Sequence, residues 1–302
     1  MKILMTGVTG FIGHHLGERL VNDGHEVHAI VRPTSKVSAL SENLRRNVQF
    51  HVHDRDNTIL DIVTDLCVEG SRPDVVYHLA TNFVTAHRFE DIQDLIQSNI
   101  TFGTELLDAM AANNVFNFVN AGTFEQTFDD FSPVNLYAAT KDCFEGIVKF
   151  YVAARNLKCI DLRLSDTYGA DDRHEIFLDT LKTFSVTGET LELSHGGQLV
   201  DLIYIDDAVE AFIVAGKILA ANKYDYCGSY GVGAARPVPL SEVIKIFEEV
   251  SGRKISVKWD GRLRARQISA FRSAQKFLPN WQPKVSLRDG ISRIQNSGAG
   301  IQ

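Results

Sequence analysis

Cysteine is scarce and unpaired in this chain. Cys67, Cys143, Cys159 and Cys227 are scattered without a repeated spacing, which argues against a disulfide framework or a zinc site and predicts reduced, mostly buried thiols. A long hydrophobic run is missing at the start, where glycines interrupt "MKILMTGVTGFIG" at once. That opening is too short for a signal peptide or a membrane span, so the expected setting is cytoplasmic, with no membrane partner. Positive charge is not in excess either: 31 Lys and Arg stand against 38 Asp and Glu, for a formal net charge of -7. A general nucleic-acid or anionic-membrane binder relies on the opposite field. Internal repeats and low-complexity segments are absent as well. Ten histidines include His51 and His53 on one strand face and the pair His14, His15, but without a third ligand at a recognisable spacing no metal is expected.

What is present is an ordinary globular composition, 44% hydrophobic and 23% charged over 302 residues. That length allows two domains, or one large α/β domain with an annex. Apolar runs alternate with amphipathic stretches through the first half, the pattern of β-α units building a parallel sheet. Strands are predicted at Lys2 to Met5, Glu26 to Val31, Val48 to Val52, Asp74 to Leu79, Phe116 to Asn120 and Cys159 to Leu164. Helices are predicted at His14 to Asn22 and Asp91 to Asn113, where apolar residues recur at three- and four-residue steps. After Leu164 the regularity weakens. "QLVDLIYIDDAVEAFIVAGKIL" reads as a strand running into a helix whose first turn carries Asp206 and Asp207, suited to a helix N-terminus. A further helix is expected from Ser241 to Ser251. The division this suggests is a dinucleotide-binding domain over 1–165 and a smaller domain over 166–302, with 199–220 returning to the first sheet.

Three signals carry chemistry. In "TGVTGFIG", Gly7, Gly10 and Gly13 follow a strand and open a helix. Gly7 would allow the tight turn, Gly10 the approach of backbone N–H groups to a pyrophosphate, and Gly13 close helix packing. At the end of the next strand, where an NAD site usually places an acid, stands Arg32. A guanidinium there suits a 2′-phosphate and points to NADP(H), with Ser35 and Lys36 as helpers; the alternative is a solvated loop residue. Asp54 is placed to meet the adenine edge or to be a loop acid. In "LYAATK", Tyr137 and Lys141 share one helix face, where an ammonium beside a phenol would lower its pKa. Gly7, Arg32, Ala80 and Thr123 all fall at the carboxyl ends of predicted parallel strands, the edge where open α/β sheets bind ligands.

Together "TGVTGFIG", "DVVYHLA", "NITFGTELLDA", "NAGT", "LYAATK", "LRLSDTYGADD", "QLVDLIYIDDAVEAF" and "LPNWQPKVSLRDG" resemble the extended short-chain dehydrogenase/reductases, the group of nucleotide-sugar epimerases, dehydratases and reductases. The resemblance covers essentially the whole chain. It implies a Rossmann-type doubly wound parallel sheet with a smaller, interleaved C-terminal substrate domain, and a helix-bundle homodimer. It makes Tyr137 the catalytic tyrosine, Lys141 the lysine that binds nicotinamide ribose and tunes it, and Thr123 the hydroxyl on the substrate carbonyl. The cofactor set it implies is Gly7, Thr9, Gly10, Phe11, Ile12, Gly13, Arg32, Asp54, Arg55, Leu79, Ala80, Asn99 and Ser165, beside Tyr137 and Lys141. Asn99 could equally shape its helix or hold a water, and His78 could line the nicotinamide channel or be an ordinary strand-end histidine. The substrate set is Thr81, Thr123, Phe124, Tyr168, Gln198, Arg264 and Arg266. The last two sit in a run with Arg253, Lys254, Lys258 and Arg262 that suits a pyrophosphate. Val200 occupies a position where the family often has an arginine.

The residues after Thr123 bear on the reaction. The family's 4,6-dehydratases carry an Asp-Glu pair there; here Phe124 stands first, so dehydration lacks its proton donor. The fucose-type epimerase-reductases place a cysteine where Glu125 stands. Ketosugar reduction and redox-neutral 4-epimerisation remain, and the inferred 2′-phosphate site favours the reductase. "NAGT", "PVNLYAATKDCFE" and "GGQLVDLIYIDDAV" look most like the CDP-3,6-dideoxyhexose synthases, the paratose and abequose 4-ketoreductases. The expected substrate is therefore a nucleotide-diphosphate-linked 4-keto-6-deoxy or 3,6-dideoxy hexose. A nucleotide-sugar 4-epimerase using NAD is the alternative, and a non-catalytic NAD(P) sensor a second one. Glu125 reads as a spectator.

Overall fold

The computed structural model describes the chain except for residues 69–70, 128–132, 171–176, 222–227, 262–275 and 298–302. Its first half alternates strand and helix: β1 (Lys2–Thr6), α1 (Phe11–Asn22), β2 (Glu26–Val31), α2 (Glu42–Asn47), β3 (Val48–Val52), α3 (Ile59–Asp65), β4 (Val75–His78), α4 (Asp91–Ile96), α5 (Phe102–Ala112), β5 (Asn117–Thr123), α6 (Leu136–Arg155) and β6 (Lys158–Leu164). β1, β4 and β5 are buried along nearly their whole length, as a parallel strand with both faces covered must be. With β11 (Gly228–Val232) from the second half, the central sheet has the order β11-β6-β5-β4-β1-β2-β3, and every pairing in it is parallel.

Two apolar layers cover the sheet. One contains Leu16, Leu20, Ala208, Phe212 and Leu219; the other contains Ile62, Leu106, Leu107, Met110, Phe144 and Val148. α1 packs on α8 (Ile205–Ala220) across the first face, while α3, α5 and α6 line the second. The predicted strands are present with shifts of a few residues at their ends, the largest at β5, which runs on to Thr123 and so carries that residue to the sheet edge.

The predicted helix from Asp91 to Asn113 contains a π turn, Gln97–Thr101, between α4 and α5. One extra residue in a turn rotates the next face, and such bulges often accompany functional sites. Here it turns Asn99 inward, leaving it 1% exposed.

The second half contributes β7 (Asp166–Tyr168), α7 (Phe177–Thr187), β8 (Thr190–Leu193), β9 (Leu199–Val200), β10 (Leu202–Tyr204), α8, β11 (Gly228–Val232), β12 (Val238–Pro239), α9 (Leu240–Ser251), β13 (Ser256–Trp259) and α10 (Leu287–Ser297). The expected return of 199–220 to the main sheet is corrected: β9 and β10 pair with β12 and β7 in small two-stranded sheets. Only α8 returns, packing on β4, β5 and β6, and the seventh strand is β11 beside β6. The two acids of "YIDDAV" do more than face a helix dipole. Asp207 accepts from the backbone of Lys284 and Val285 at 2.9 and 2.8 Å, pinning the closing segment, while Asp206 pairs with Arg293. Among the described cysteines, Cys159 is buried, Cys67 half-buried and Cys143 exposed, where mostly buried thiols were expected; Cys227 lies outside the described residues. Among the described residues no helix is long and apolar enough to cross a membrane.

Candidate active site

The carboxyl ends of β1, β2 and β4 lie level, because Thr6 pairs with Ile30 and with His78; His78 pairs with Asn120, and β5 runs on past it to Thr123. The turn after β1 begins at Gly7, whose φ of 79° belongs to the left-handed region. A Cβ at Gly13 would lie 2.0 Å from the Gly7 carbonyl, so α1 approaches the turn as closely as only glycine permits. Gly10 is the N-cap of α1 and offers no side-chain cap, and no acid stands in the first turn. The first N–H groups of α1, flanked by exposed Thr9 and Gly10 and half-buried Phe11 and Ile12, are thus left for an anion. These residues fit a dinucleotide pyrophosphate.

Arg32 follows β2 and is exposed. Its N–H donates to Ser35 Oγ at 3.0 Å and its carbonyl accepts from Ser35 N–H at 2.9 Å, which fixes a tight turn under the guanidinium. Asp54 spends one oxygen on the N–H groups of Asp56 and Asn57, both at 2.9 Å, so it shapes its own loop, with Arg55 exposed beside it. Leu79 and Ala80 are half-buried, and Ala80 N–H donates to Thr6 Oγ1 at 3.2 Å.

Thr123 ends β5 and Tyr137 stands in the first turn of α6; they are 8% and 7% exposed. Thr123 N–H donates to Gln126 Oε1 at 2.8 Å, and Thr123 Oγ1 accepts from Glu125 N–H at 3.3 Å. Phe124 is as buried as its neighbours, at 5%. Asn135 N-caps α6 by accepting from Ala138 N–H, and its amide also donates to Glu125 Oε2 at 3.1 Å. That carboxylate is therefore tied to the helix start that carries Tyr137. Phe83 meets the Tyr137 ring edge-on, with centroids 4.9 Å apart.

The expected lowering of the Tyr137 pKa by Lys141 is not what the geometry gives. Burial and the charge of Glu125 push the phenol well above its ordinary range, and a hydrogen bond with Thr81 is what pulls it down. Lys141, 3% exposed, donates to the Ala121 carbonyl at 3.0 Å, away from the phenol. Burial lowers its pKa to about 8, and Asp161 opposes that. Burial raises the Glu125 carboxyl, and its charge acts in turn on Tyr137. Asp166 keeps solvent access although protein packs around it; burial and the charges of Glu125 and Asp201 push its carboxyl up to about 7.

Other expected positions separate into those brought to the centre and those that are not. Asn99 fills all four of its hydrogen-bonding capacities with protein: it accepts from Thr81 Oγ1 (3.0 Å) and Asn82 N–H (2.7 Å), and donates to the Asn82 carbonyl (3.1 Å) and Thr140 Oγ1 (3.0 Å). It shapes the site and offers nothing to a cofactor. Ser165 gives its hydroxyl proton to Asp201 at 2.7 Å, which leaves its oxygen only as an acceptor. Tyr168 is corrected as a substrate residue: it is 1% exposed, packed edge-on to Tyr204 and against Gly290 of α10, because β7 turns it into the core. His78 is a core histidine, bonded to Thr6 Oγ1 at 2.9 Å and ringed by Phe102, Phe118 and Phe144. Gln198 sits in the turn before β9, where its amide oxygen accepts from Ser194 Oγ at 3.4 Å. Lys254 and Lys258 pair with Glu248 and Glu192, so that part of the basic run is a solvated surface. Arg262, Arg264 and Arg266 lie outside the described residues.

Sequence reasoning did not find Phe83, Asp161, Asp166 or Thr140. Thr140 and Asp166 stand inside "LYAATK" and "LRLSDTYGADD", but their contacts, like those of Phe83 and Asp161, join segments distant in the chain.

Residues 3–225 match the NAD dependent epimerase/dehydratase family. A CDP-abequose synthase of Salmonella muenchen is 24% identical, the match covering 97% of this chain and 96% of that one. A UDP-glucuronate 4-epimerase of Thermodesulfobacterium geofontis is 26% identical over 97% of this chain and 94% of its own. Among solved structures, a variant UDP-glucuronic acid 4-epimerase from Bacillus cereus, in complex with UDP-4-deoxy-4-fluoro-glucuronic acid and NAD, superposes with a TM-score of 0.79 over the full length of both chains, at 24% identity.

Proposed function

The chain belongs to the NAD dependent epimerase/dehydratase family, and from that premise we propose that it reduces a nucleotide-diphosphate-linked 4-keto-6-deoxy or 3,6-dideoxy hexose to the 4-hydroxy sugar with NADPH. The observation that carries the choice of reduction is Arg32. It ends β2 on the same edge as the Gly7 turn, and its guanidinium has no ion-pair partner among the described residues. An arginine fork there matches a 2′-phosphate, and a cofactor that is consumed belongs to a reductase. The similarity to a CDP-abequose synthase supports the same reading.

The residues divide the chemistry as follows. NADPH, when bound, supplies the hydride. Thr123 and Tyr137 place two hydroxyls where the 4-keto oxygen would sit, and their donors stabilise the charge that develops on it. Tyr137 gives its proton to that oxygen. A phenol held above its ordinary pKa keeps its proton at neutral pH, and the developing alkoxide, more basic still, takes it. Lys141 binds the nicotinamide ribose. Exposed apolar residues on and near α4 and α6, namely Phe89, Ile92, Ile96 and Phe150, support a homodimer through those helices.

A 4-epimerase reading is favoured by the similarity to a UDP-glucuronate 4-epimerase and by the full-length superposition on another. Stoichiometry separates the two. The protein is mixed with NADPH or NADH and a panel of CDP- and UDP-linked 4-keto sugars; reduction consumes one NADPH per sugar. Interconversion of 4-hydroxy sugars with no net change in cofactor would establish the epimerase instead.

A further inference from the structure

We propose that Asp161 is the buried counter-charge of Lys141, a positioning residue that holds the lysine ammonium at the carboxyl edge of β5 without touching substrate or cofactor. The inference rests on Lys141 serving the nicotinamide ribose, and it holds for reduction and epimerisation alike.

Asp161 lies on β6 directly opposite Asn120 of β5 and is 4% exposed. Asn120 Nδ2 donates to its Oδ1 at 2.6 Å, and its Oδ2 has no hydrogen-bond partner among the described residues. A Cβ on Gly122 would lie 2.9 Å from both carboxylate oxygens, so the glycine leaves room for the carboxylate to lie against β5. Lys141 reaches the same strand tip from the helix side, donating to the carbonyl of Ala121, between Asn120 and Gly122. The two charges thus converge on three consecutive residues.

The other groups around the ammonium are otherwise engaged. Glu145, one turn further along α6, is held by Arg163 at 2.5 Å, by Lys149 at 3.0 Å and by the Gln126 amide at 3.2 Å. Arg163 Nε lies 3.6 Å from Asp161 Oδ2, so Lys141, at longer range, shares that carboxylate with the guanidinium. His78, facing Lys141 from β4, is kept neutral by burial, with its pKa lowered to about 3. Tyr137, one turn before, retains its proton. An ammonium buried to this degree would shed its proton readily, and Asp161 is the charge that acts against this. In turn, burial and Glu145 raise the Asp161 carboxyl, while Asn120, Arg163 and Lys141 draw it down. Removing one member of such a pair leaves the other uncompensated.

The test needs no sugar. NADPH and NADH dissociation constants are measured against pH, by nicotinamide fluorescence, for the wild type, Asp161→Asn, Asp161→Glu and Lys141→Met. Wild-type affinity should weaken as pH rises through about 8. In Asp161→Asn the break should come about one pH unit lower, giving a roughly fivefold weaker affinity at pH 8, while Asp161→Glu restores it and Lys141→Met has no break. A break at the wild-type pH in Asp161→Asn, or one that survives in Lys141→Met, overturns the assignment. Should Asp161→Asn not fold, Asn120→Ser, which frees the carboxylate from its 2.6 Å bond, decides the matter: a smaller displacement in the same direction supports it, and none refutes it. A protein that shows the predicted breaks yet turns over no sugar leaves Asp161 assigned and sinks the reductase.

Discussion

Asn99 donates across 3.0 Å to the hydroxyl of Thr140, and that hydroxyl donates at 2.7 Å to the carbonyl of Tyr137. The π turn between α4 and α5 is thereby linked to the first turn of α6. The same amide holds Thr81, which bonds the Tyr137 phenol. Asn99→Ala removes four bonds from a buried side chain, at about 1 kcal/mol each before relaxation. We expect a loss of about 2–4 kcal/mol in denaturant unfolding, with kcat falling more than cofactor affinity. Unchanged stability would mean the Thr81 to Asn82 segment is held by something else.

Tyr137→Phe deletes the proton donor but keeps the ring that packs on Phe83. Turnover should fall by a factor of about 10²–10⁴, with cofactor affinity nearly unchanged. Wild-type-like turnover in this variant would remove Tyr137 from the reaction.

Arg32→Ala separates the two cofactors. Charge-assisted hydrogen bonds contribute about 1.5–3 kcal/mol, so NADPH affinity should fall roughly 10- to 100-fold while NADH affinity stays where it was. Equal losses for both, or none, would place Arg32 outside the cofactor site.

His78 predicts how stability depends on pH. Its folded pKa, about 3, is depressed below the ordinary imidazole value of 6.5. The unfolded chain therefore takes up a proton that the folded one refuses. Stability is complete above pH 6.5 and is lost as pH falls toward 3, by about 1.4 kcal/mol per pH unit from this group. In His78→Gln, which can still accept from Thr6, unfolding measured between pH 6.5 and 4.5 should show a slope shallower by that amount. Identical slopes would show that His78 takes up no fewer protons folded than unfolded.

Much of this was legible in the residues, and the rest has a physical reason for being hidden. The apolar runs of β1 to β6 announce parallel strands because both faces are covered, and Gly7 and Gly13 announce the turn because no other residue fits there. Tyr137 and Lys141 share a face by helical spacing alone. The direction of Lys141 was not readable, since its partner at Ala121 and its counter-charge at Asp161 come from two other strands. Ser165 stands between β6 and β7 and Tyr168 ends β7, but which way each side chain turns depends on Asp201 and α10. The seventh strand was missed because β11, "GSYGV", is short and glycine-bearing, whereas "LVDLIY" is more apolar and was the better candidate on pattern.

The central claim is that hydride passes from NADPH to C4 of the sugar, with Tyr137 giving the proton. It is tested most directly with NADPH deuterated at the transferable position and a nucleotide-linked 4-keto-6-deoxy hexose, followed by NMR of the product. The account predicts one deuterium at C4 for each NADPH consumed, with NADH far less effective and Tyr137→Phe giving almost none. Product with no deuterium at C4, or a C4 inversion that proceeds without consuming cofactor, would contradict it.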